Sequence, residues 1–182
     1  TCGGLCPGIN DVVRSIFLSL HHLYGVGAIY GIRYGYSGLG KFPHAPPHLI
    51  SKLDVRDIHR FGGSFLGSCR GTPPASEIVD TLLGVGINIL FTIGGDGTMR
   101  GSSNIANEVQ SRRLPISIIG IPKTIDNDLH FVARSFGFTT AVDEASRAIQ
   151  GAHEEARGAW NGIGLVKLMG RHSGFIAAHT VL

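Results

Sequence analysis

The sequence is poor in the features that mark membrane spans, disulfide scaffolds and nucleic-acid binders. Its 182 residues contain no run of about 18 apolar residues, so no membrane-spanning helix is expected. There are only three cysteines, Cys2, Cys6 and Cys69. An odd number without a dense framework points to free thiols in a reducing compartment. Cys2-x-x-x-Cys6 could open a metal site, but no second Cys/His pair at ligand spacing follows it. The net charge is +3 and the one adjacent basic pair is Arg112-Arg113. No basic stripe or nucleic-acid module is present, so no nucleic-acid partner is expected. No signal peptide is visible, yet the chain starts at Thr1 rather than Met, and both ends look cut. The expected location is the cytoplasm, or a plastid if a transit peptide preceded Thr1.

Glycine is abundant: 27 of 182 residues, against a usual frequency of roughly 7%. The glycines follow no collagen period and cluster between apolar segments. That pattern suits an α/β protein whose loops bring backbone close to phosphates.

The periodicity predicts helices over residues 10–22, capped by Asn10 or Asp11, over 55–61, capped by Asp54, and over 74–83 with Pro74 as first residue. Further helices are expected over 99–111, 139–157 and from 173 onward. Strands are expected over 28–32, 88–93, 116–121 and 163–167, and residues 42–48 read as loop. Apolar strands without alternation, joined by helices, predict a three-layer αβα sandwich with a mostly parallel, Rossmann-like sheet. Ligands of such folds bind beyond the carboxyl ends of the strands. The loops at 94–98, 122–129 and 168–172 each follow a predicted strand and are expected on one sheet edge. No linker divides the piece.

Three loops carry the chemistry. In Gly94-Gly95-Asp96-Gly97-Thr98, glycines let amides curl around an anion without Cβ atoms in the way, and the next helix adds its positive end. Asp96 is misplaced in an anion site unless it holds Mg²⁺ bridged to phosphates. Gly35-Tyr36-Ser37-Gly38-Leu39-Gly40-Lys41 imitates a P-loop, but Phe42 stands where a Ser or Thr should bind Mg²⁺ and Pro43 follows. The dinucleotide fingerprint fails at Arg100. In Pro122-Lys123-Thr124-Ile125-Asp126-Asn127-Asp128, an aspartate could take a proton from a hydroxyl attacking phosphorus; an exposed Asx-type turn is the plain alternative. In Met169-Gly170-Arg171-His172-Ser173, Arg171 could stabilise a moving phosphoryl group, although a surface arginine is commoner. Gly3-Gly4 and the stretch from Gly67 to Gly71 are two further candidate phosphate loops, each of which an ordinary turn explains equally well.

Together these stretches resemble the phosphofructokinase family. The resemblance rests on Gly3-Gly4-x-x-Pro7-Gly8-x-Asn10, Gly62 to Arg70, Gly94 to Thr98, Pro122 to Asp128 and Met169-Gly170-Arg171, in family order across nearly the whole chain. It implies that residues 1–182 are the N-terminal nucleotide-binding domain of an ATP-dependent 6-phosphofructokinase. The C-terminal sugar-phosphate half and a first strand before Thr1 would be absent, and the piece alone unstable and nearly inactive. Gly3, Gly4, Arg70, Gly95, Asp96, Gly97 and Thr98 would bind ATP, with Mg²⁺ on Asp96. Asp126 would deprotonate the 1-hydroxyl of fructose 6-phosphate. Thr124, Ile125, Asp128, Met169, Gly170 and Arg171 would bind the sugar phosphate, with Thr124 orienting it and Arg171 facing the transferred group. The full-length enzyme would be a homo-oligomer, expected as a tetramer, with effector sites largely outside this piece.

In relatives that use pyrophosphate an Asp stands at the place of Gly97, so the resemblance favours ATP. Lys123 points the other way, because pyrophosphate users carry Lys there. Gly71 replaces a frequent aromatic, and Gly162 falls where some relatives lend an arginine across a subunit interface. The alternatives are a pyrophosphate-dependent phosphofructokinase, a lipid or NAD kinase with a similar glycine loop, and a non-catalytic nucleotide-binding regulator.

Overall fold

The computed structural model describes residues 1–182, which form two compact units, Thr1–Lys123 and Thr124–Leu182. In the first unit, α1 (Ile9–His22) buries Ile9, Val13 and Phe17, one per turn along one face. Gly8, at φ 91°, precedes it and supplies the left-handed residue from which the helix starts. Asn10 does not cap this helix as expected. It lies inside it, where its amide donates to the Phe61 carbonyl at 2.8 Å and accepts from the Phe65 amide at 2.7 Å.

The segment expected as a strand over 28–32 pairs only through β1 (Tyr30–Gly31), antiparallel to β2 (His48–Leu49). β2 begins at His48, the last residue of the segment read as loop. The short helix α2 (Lys52–Val55) is capped by Ser51, with Asp54 returning the bond in a capping box, and a 3-10 turn follows at Ile58–Arg60. Asp54 is thus the third helical residue rather than the cap.

The helix α3 (Ala75–Val85) starts after Pro74 and ends at Gly86, left-handed at φ 79°. Then comes the α/β core: β3 (Ile89–Gly94), α4 (Asp96–Ser111) and β4 (Ser117–Pro122). β3 and β4 are parallel, with Ile89 opposite Ser117 and Gly94 opposite Pro122. A right-handed crossover through a helix is the usual way to join such a pair. Ile78, Val79 and Leu82 of α3, Leu90 of β3, and Ile105 and Val109 of α4 make the centre of the core, with Cys2, Tyr36 and Leu39 joining them. On its other edge β3 receives the Cys2 amide at the Ile93 carbonyl, 2.9 Å, and Cys2 itself bridges in parallel to Cys69.

The second unit holds α5 (Phe138–Gly158) and α6 (Phe175–Val181), packed through Phe138, Ala145 and Ile176 with Ile125 and Leu168 beside them. The strand expected over 163–167 does not form. Strand backbone needs a paired neighbour, and this unit contains no other strand; Ile163 and Leu165 are 92% and 94% exposed. The α/β class and the parallel order hold, while the paired parallel sheet is limited to β3 and β4.

Candidate phosphate and acceptor loops

At the end of β3, Gly94 is obligatory: a Cβ there would lie 2.1 Å from Thr98 Oγ1. Gly95 is the residue before α4, in extended backbone, and its carbonyl accepts from the Thr98 and Met99 amides at 2.9 and 3.0 Å. The helix therefore begins at Asp96, three residues earlier than periodicity suggested, and the glycine loop is its first turn. A helix start leaves its first amides without intrahelical partners. With those of Thr98 and Met99 turned back onto Gly95, the amides of Asp96 and Gly97 head the helix. A Cβ added at Gly95 would come within 3.3 Å of the Lys123 carbonyl, but one at Gly97 would meet nothing within 4 Å.

Two other loops and one lysine converge on this turn within the first unit. The Gly3 amide donates to the Cys69 carbonyl at 3.2 Å, and Ser68 Oγ donates to the Gly3 carbonyl at 2.5 Å. Gly3 has φ 82°, a conformation glycine adopts without strain. The Arg70 guanidinium lies 3.9 Å from where a Gly4 Cβ would be, so its head stands beside the Gly3-Gly4 backbone. Lys123 leaves the end of β4 with its amide on the Gly94 carbonyl at 2.8 Å. Its side chain is buried, and its ammonium donates to the Gly4 carbonyl. Gly3, Gly4 and Arg70 thus adjoin, through Lys123, the turn that carries Gly95, Asp96, Gly97 and Thr98. The fixed charges there are a helix N-terminus, Arg70, Lys123 and Arg100 against the single carboxylate of Asp96. That balance suits a polyphosphate.

Asp96 pairs with Arg100 one turn on, at 2.6 Å, with both side chains mostly exposed. No cluster of three or more acidic, His or Cys side chains able to hold a metal exists in the chain. One exposed carboxylate beside a phosphate cradle fits Mg²⁺ arriving with its polyphosphate, since that ion keeps water and needs only one or two protein carboxylates. The P-loop lookalike is a 3-10 turn, Gly35–Leu39, with Gly35, Tyr36, Gly38 and Leu39 buried. Burial pushes the Cys6 thiol above its ordinary pKa, an effect Lys123 opposes.

In the second unit, the loop after Lys123 is braced from several directions. Thr124 Oγ1 accepts from the Asp126 amide at 3.1 Å and donates to Asp128 Oδ1 at 3.0 Å. Asn127 is left-handed at φ 54°, and its side chain accepts from the Ser135 amide at 2.7 Å and donates to the Ala133 carbonyl at 3.2 Å. Ser135 Oγ donates to the Thr124 carbonyl, and Ser173 Oγ to the Asp126 carbonyl at 2.9 Å. Asp126 is 7% exposed. Every one of these bonds leaves its carboxylate uncommitted, the condition a general base needs.

Gly170 has φ 133°, and a Cβ there would sit 2.3 Å from the Ser173 carbonyl. Only glycine allows the turn that presents Arg171 outward and brings Ser173 to Asp126. Met169 and Arg171 are exposed, and Arg171 forms no ion pair with Asp126 or Asp128. The Ile125 side chain packs against the Phe138 cluster and is half-buried. Ser135 and Ser173 were missed from sequence, because a serine in a polar loop has no pattern that reveals a partner 11 or 47 residues away.

A parallel strand–glycine turn–helix unit with two further loops beside it makes this an α/β protein. The phosphofructokinase family matches residues 1–182, and the chain belongs to that family. An ATP-dependent 6-phosphofructokinase of Borreliella burgdorferi is 57% identical over all 182 residues, which cover 41% of that protein. The ATP-dependent 6-phosphofructokinase 1 of Arabidopsis thaliana is 53% identical, covered to 38%. The chain thus spans about two fifths of the length of these relatives. A pyrophosphate-dependent phosphofructokinase from Marinobacter aquaeolei superposes with a TM-score of 0.79 at 25% identity, over 98% of this chain and 47% of that one. One from Nitrosospira multiformis gives 0.84 at 22% identity, with the same coverage, and shares the fold.

Proposed function

We propose that the chain is the N-terminal nucleotide-binding domain of an ATP-dependent 6-phosphofructokinase, which moves the γ-phosphoryl of ATP to the 1-hydroxyl of fructose 6-phosphate. The observation that carries the choice of donor is Gly97. Nothing in the fold demands glycine there, in contrast to Gly94, so the missing side chain serves whatever lies outside the protein. An open helix start leaves room for the nucleotide beyond its phosphates. The names of the relatives above, ATP-dependent enzymes at 53 and 57% identity, support the same donor.

Each residue then has a role. The amides of Asp96 and Gly97 and the guanidinium of Arg70 hold the donor phosphates, with Gly3, Gly4, Gly95 and Thr98 shaping the cradle. Mg²⁺ on Asp96 would neutralise charge on the phosphates. Asp126 accepts the proton of the acceptor hydroxyl as its oxygen attacks phosphorus, and ADP leaves. Thr124 and Asp128 fix the Asp126 backbone. Met169, Gly170 and Arg171 bind the sugar phosphate, and Arg171 meets the charge on the transferred group. The products are ADP and fructose 1,6-bisphosphate, a glycolytic step, in a cytoplasmic homotetramer.

The pyrophosphate reading draws on Lys123. Its burial and its bond to the Gly4 carbonyl give it a task inside the protein, that of tying the Gly3-Gly4 loop to the end of β4. A donor comparison on the full-length parent tests the proposal. Product formed from ATP and none from pyrophosphate supports it; the reverse replaces the donor.

A further inference from the structure

Beneath the first turn of α4 lie four buried side chains with hydroxyl groups: Tyr36, Thr92, Thr98 and Ser102. Three of those hydroxyls form one cluster that no proposed step uses. Tyr36 Oη donates to the Thr98 carbonyl at 2.8 Å and lies 2.9 Å from Ser102 Oγ. Ser102 Oγ also reaches the Thr98 carbonyl at 2.9 Å, and Thr92 Oγ1 lies 2.6 Å from Ser102 Oγ. Tyr36 and Ser102 can both donate to the Thr98 carbonyl, and Thr92 can donate to Ser102 or, at 3.4 Å, to the Ile119 carbonyl of β4. Three elements meet there, the 3-10 turn at Gly35–Leu39, strand β3 and helix α4.

The surroundings are built for this contact. A Cβ on Gly101 would sit 2.7 Å from the Tyr36 ring, so glycine there admits the ring against the helix. Gly35, at φ 59°, lets the turn press on the Cys2 segment, where a Cβ would lie 2.7 Å from Cys2 Sγ and from the Thr1 carbonyl. Cys2 is followed directly by the Gly3-Gly4 loop. The Tyr36 turn therefore braces both the glycine turn that heads α4 and the strand leading to the second phosphate loop. Apolar side chains would fill this volume without needing directional partners; a satisfied hydroxyl cluster fixes one arrangement.

We infer that Tyr36, with Thr92 and Ser102, is a positioning group for the donor phosphate loop: it holds the Thr98 carbonyl and so sets the aim of the Asp96 and Gly97 amides. This rests on the phosphate site proposed above. Preorganised donors lose effectiveness steeply when displaced by fractions of an ångström.

The test uses the full-length parent enzyme and the variants Tyr36→Phe, Thr92→Val and Thr92→Ser. Calorimetry gives the Kd of MgATP and, separately, of inorganic pyrophosphate; steady-state assays give KM for each substrate; thermal unfolding gives Tm. Tyr36→Phe and Thr92→Val are expected to raise Kd and KM for ATP about five- to tenfold, the scale of one net hydrogen bond. KM for fructose 6-phosphate should stay unchanged, and Thr92→Ser should restore ATP binding. A lower Tm with unchanged donor affinity in both variants would show an ordinary core contact and overturn the inference. Should Tyr36→Phe fail to fold, the isosteric Thr92→Val decides. If the wild type binds pyrophosphate and not MgATP, the donor reading falls and the same comparison on pyrophosphate judges the cluster. If it binds neither, both fall.

Discussion

The Tyr36 ring occupies the space that a side chain at Gly101 would need, with Cε2, Cζ and Oη all 2.7 to 3.3 Å from the missing Cβ. Gly101→Ala should therefore destabilise the protein although alanine favours helix. Overpacking costs about 1–3 kcal/mol, and the helix-propensity gain returns about 1 kcal/mol. Chemical denaturation should show a net loss of about 1 kcal/mol in the full-length parent. Tyr36→Leu lacks the three clashing atoms, so in that background Gly101→Ala should cost less. A cost that is the same in both backgrounds would refute the steric account.

Gly97→Asp should behave in the opposite way. Nothing within 4 Å opposes a side chain there, so stability should change by no more than about 0.5 kcal/mol. ATP-dependent turnover should fall roughly 10²-fold, because the new carboxylate crowds the donor. Parallel thermal melts and donor assays check both halves, and retained ATP activity would remove Gly97 from the donor argument.

Asp126→Asn keeps the side-chain shape and removes the base. Turnover should fall on the order of 10²- to 10⁴-fold, with the Kd for MgATP unchanged. Wild-type turnover in this variant would exclude Asp126 as base.

The cysteines give a structural readout without catalysis. Cys69 is partly exposed and sits next to Arg70, while Cys2 and Cys6 are buried. Burial raises the Cys6 pKa, so at pH 7 it is held further toward the unreactive thiol, and its labelling should accelerate only as pH rises. Cys69 should react first with iodoacetamide, and MgATP should slow that reaction if the 67–70 loop binds the donor. Mass spectrometry of time-quenched samples resolves the order.

The site loops were legible because glycine runs directly after apolar strands are a local signal. That signal identified Gly94 to Thr98, and two carboxylates two residues apart after the next strand identified the Asp126 loop. Other features depend on bonds and pairings that apolar spacing does not encode. Ser51 displaced Asp54 as cap because a serine before the helix and an acid at its third residue satisfy each other. α4 starts at Asp96 because the Gly95 carbonyl accepts the first bonds, which apolar spacing does not encode. Residues 163–167 carry a strand's composition, but composition does not supply a strand to pair with. The Tyr36 cluster joins residues 62 and 66 positions apart, beyond the reach of any periodicity.

The tolerance of the fold at Gly97 bears on how such proteins diverge. Gly94 and Gly101 are held by their neighbours, and a lineage that changes either must repack around it. Gly97 is under no such restraint. If Gly97 selects the donor as proposed, the selecting residue is one that a single substitution can replace without unfolding the chain. On that reading, a change of phosphoryl donor at this position requires no repacking of the fold.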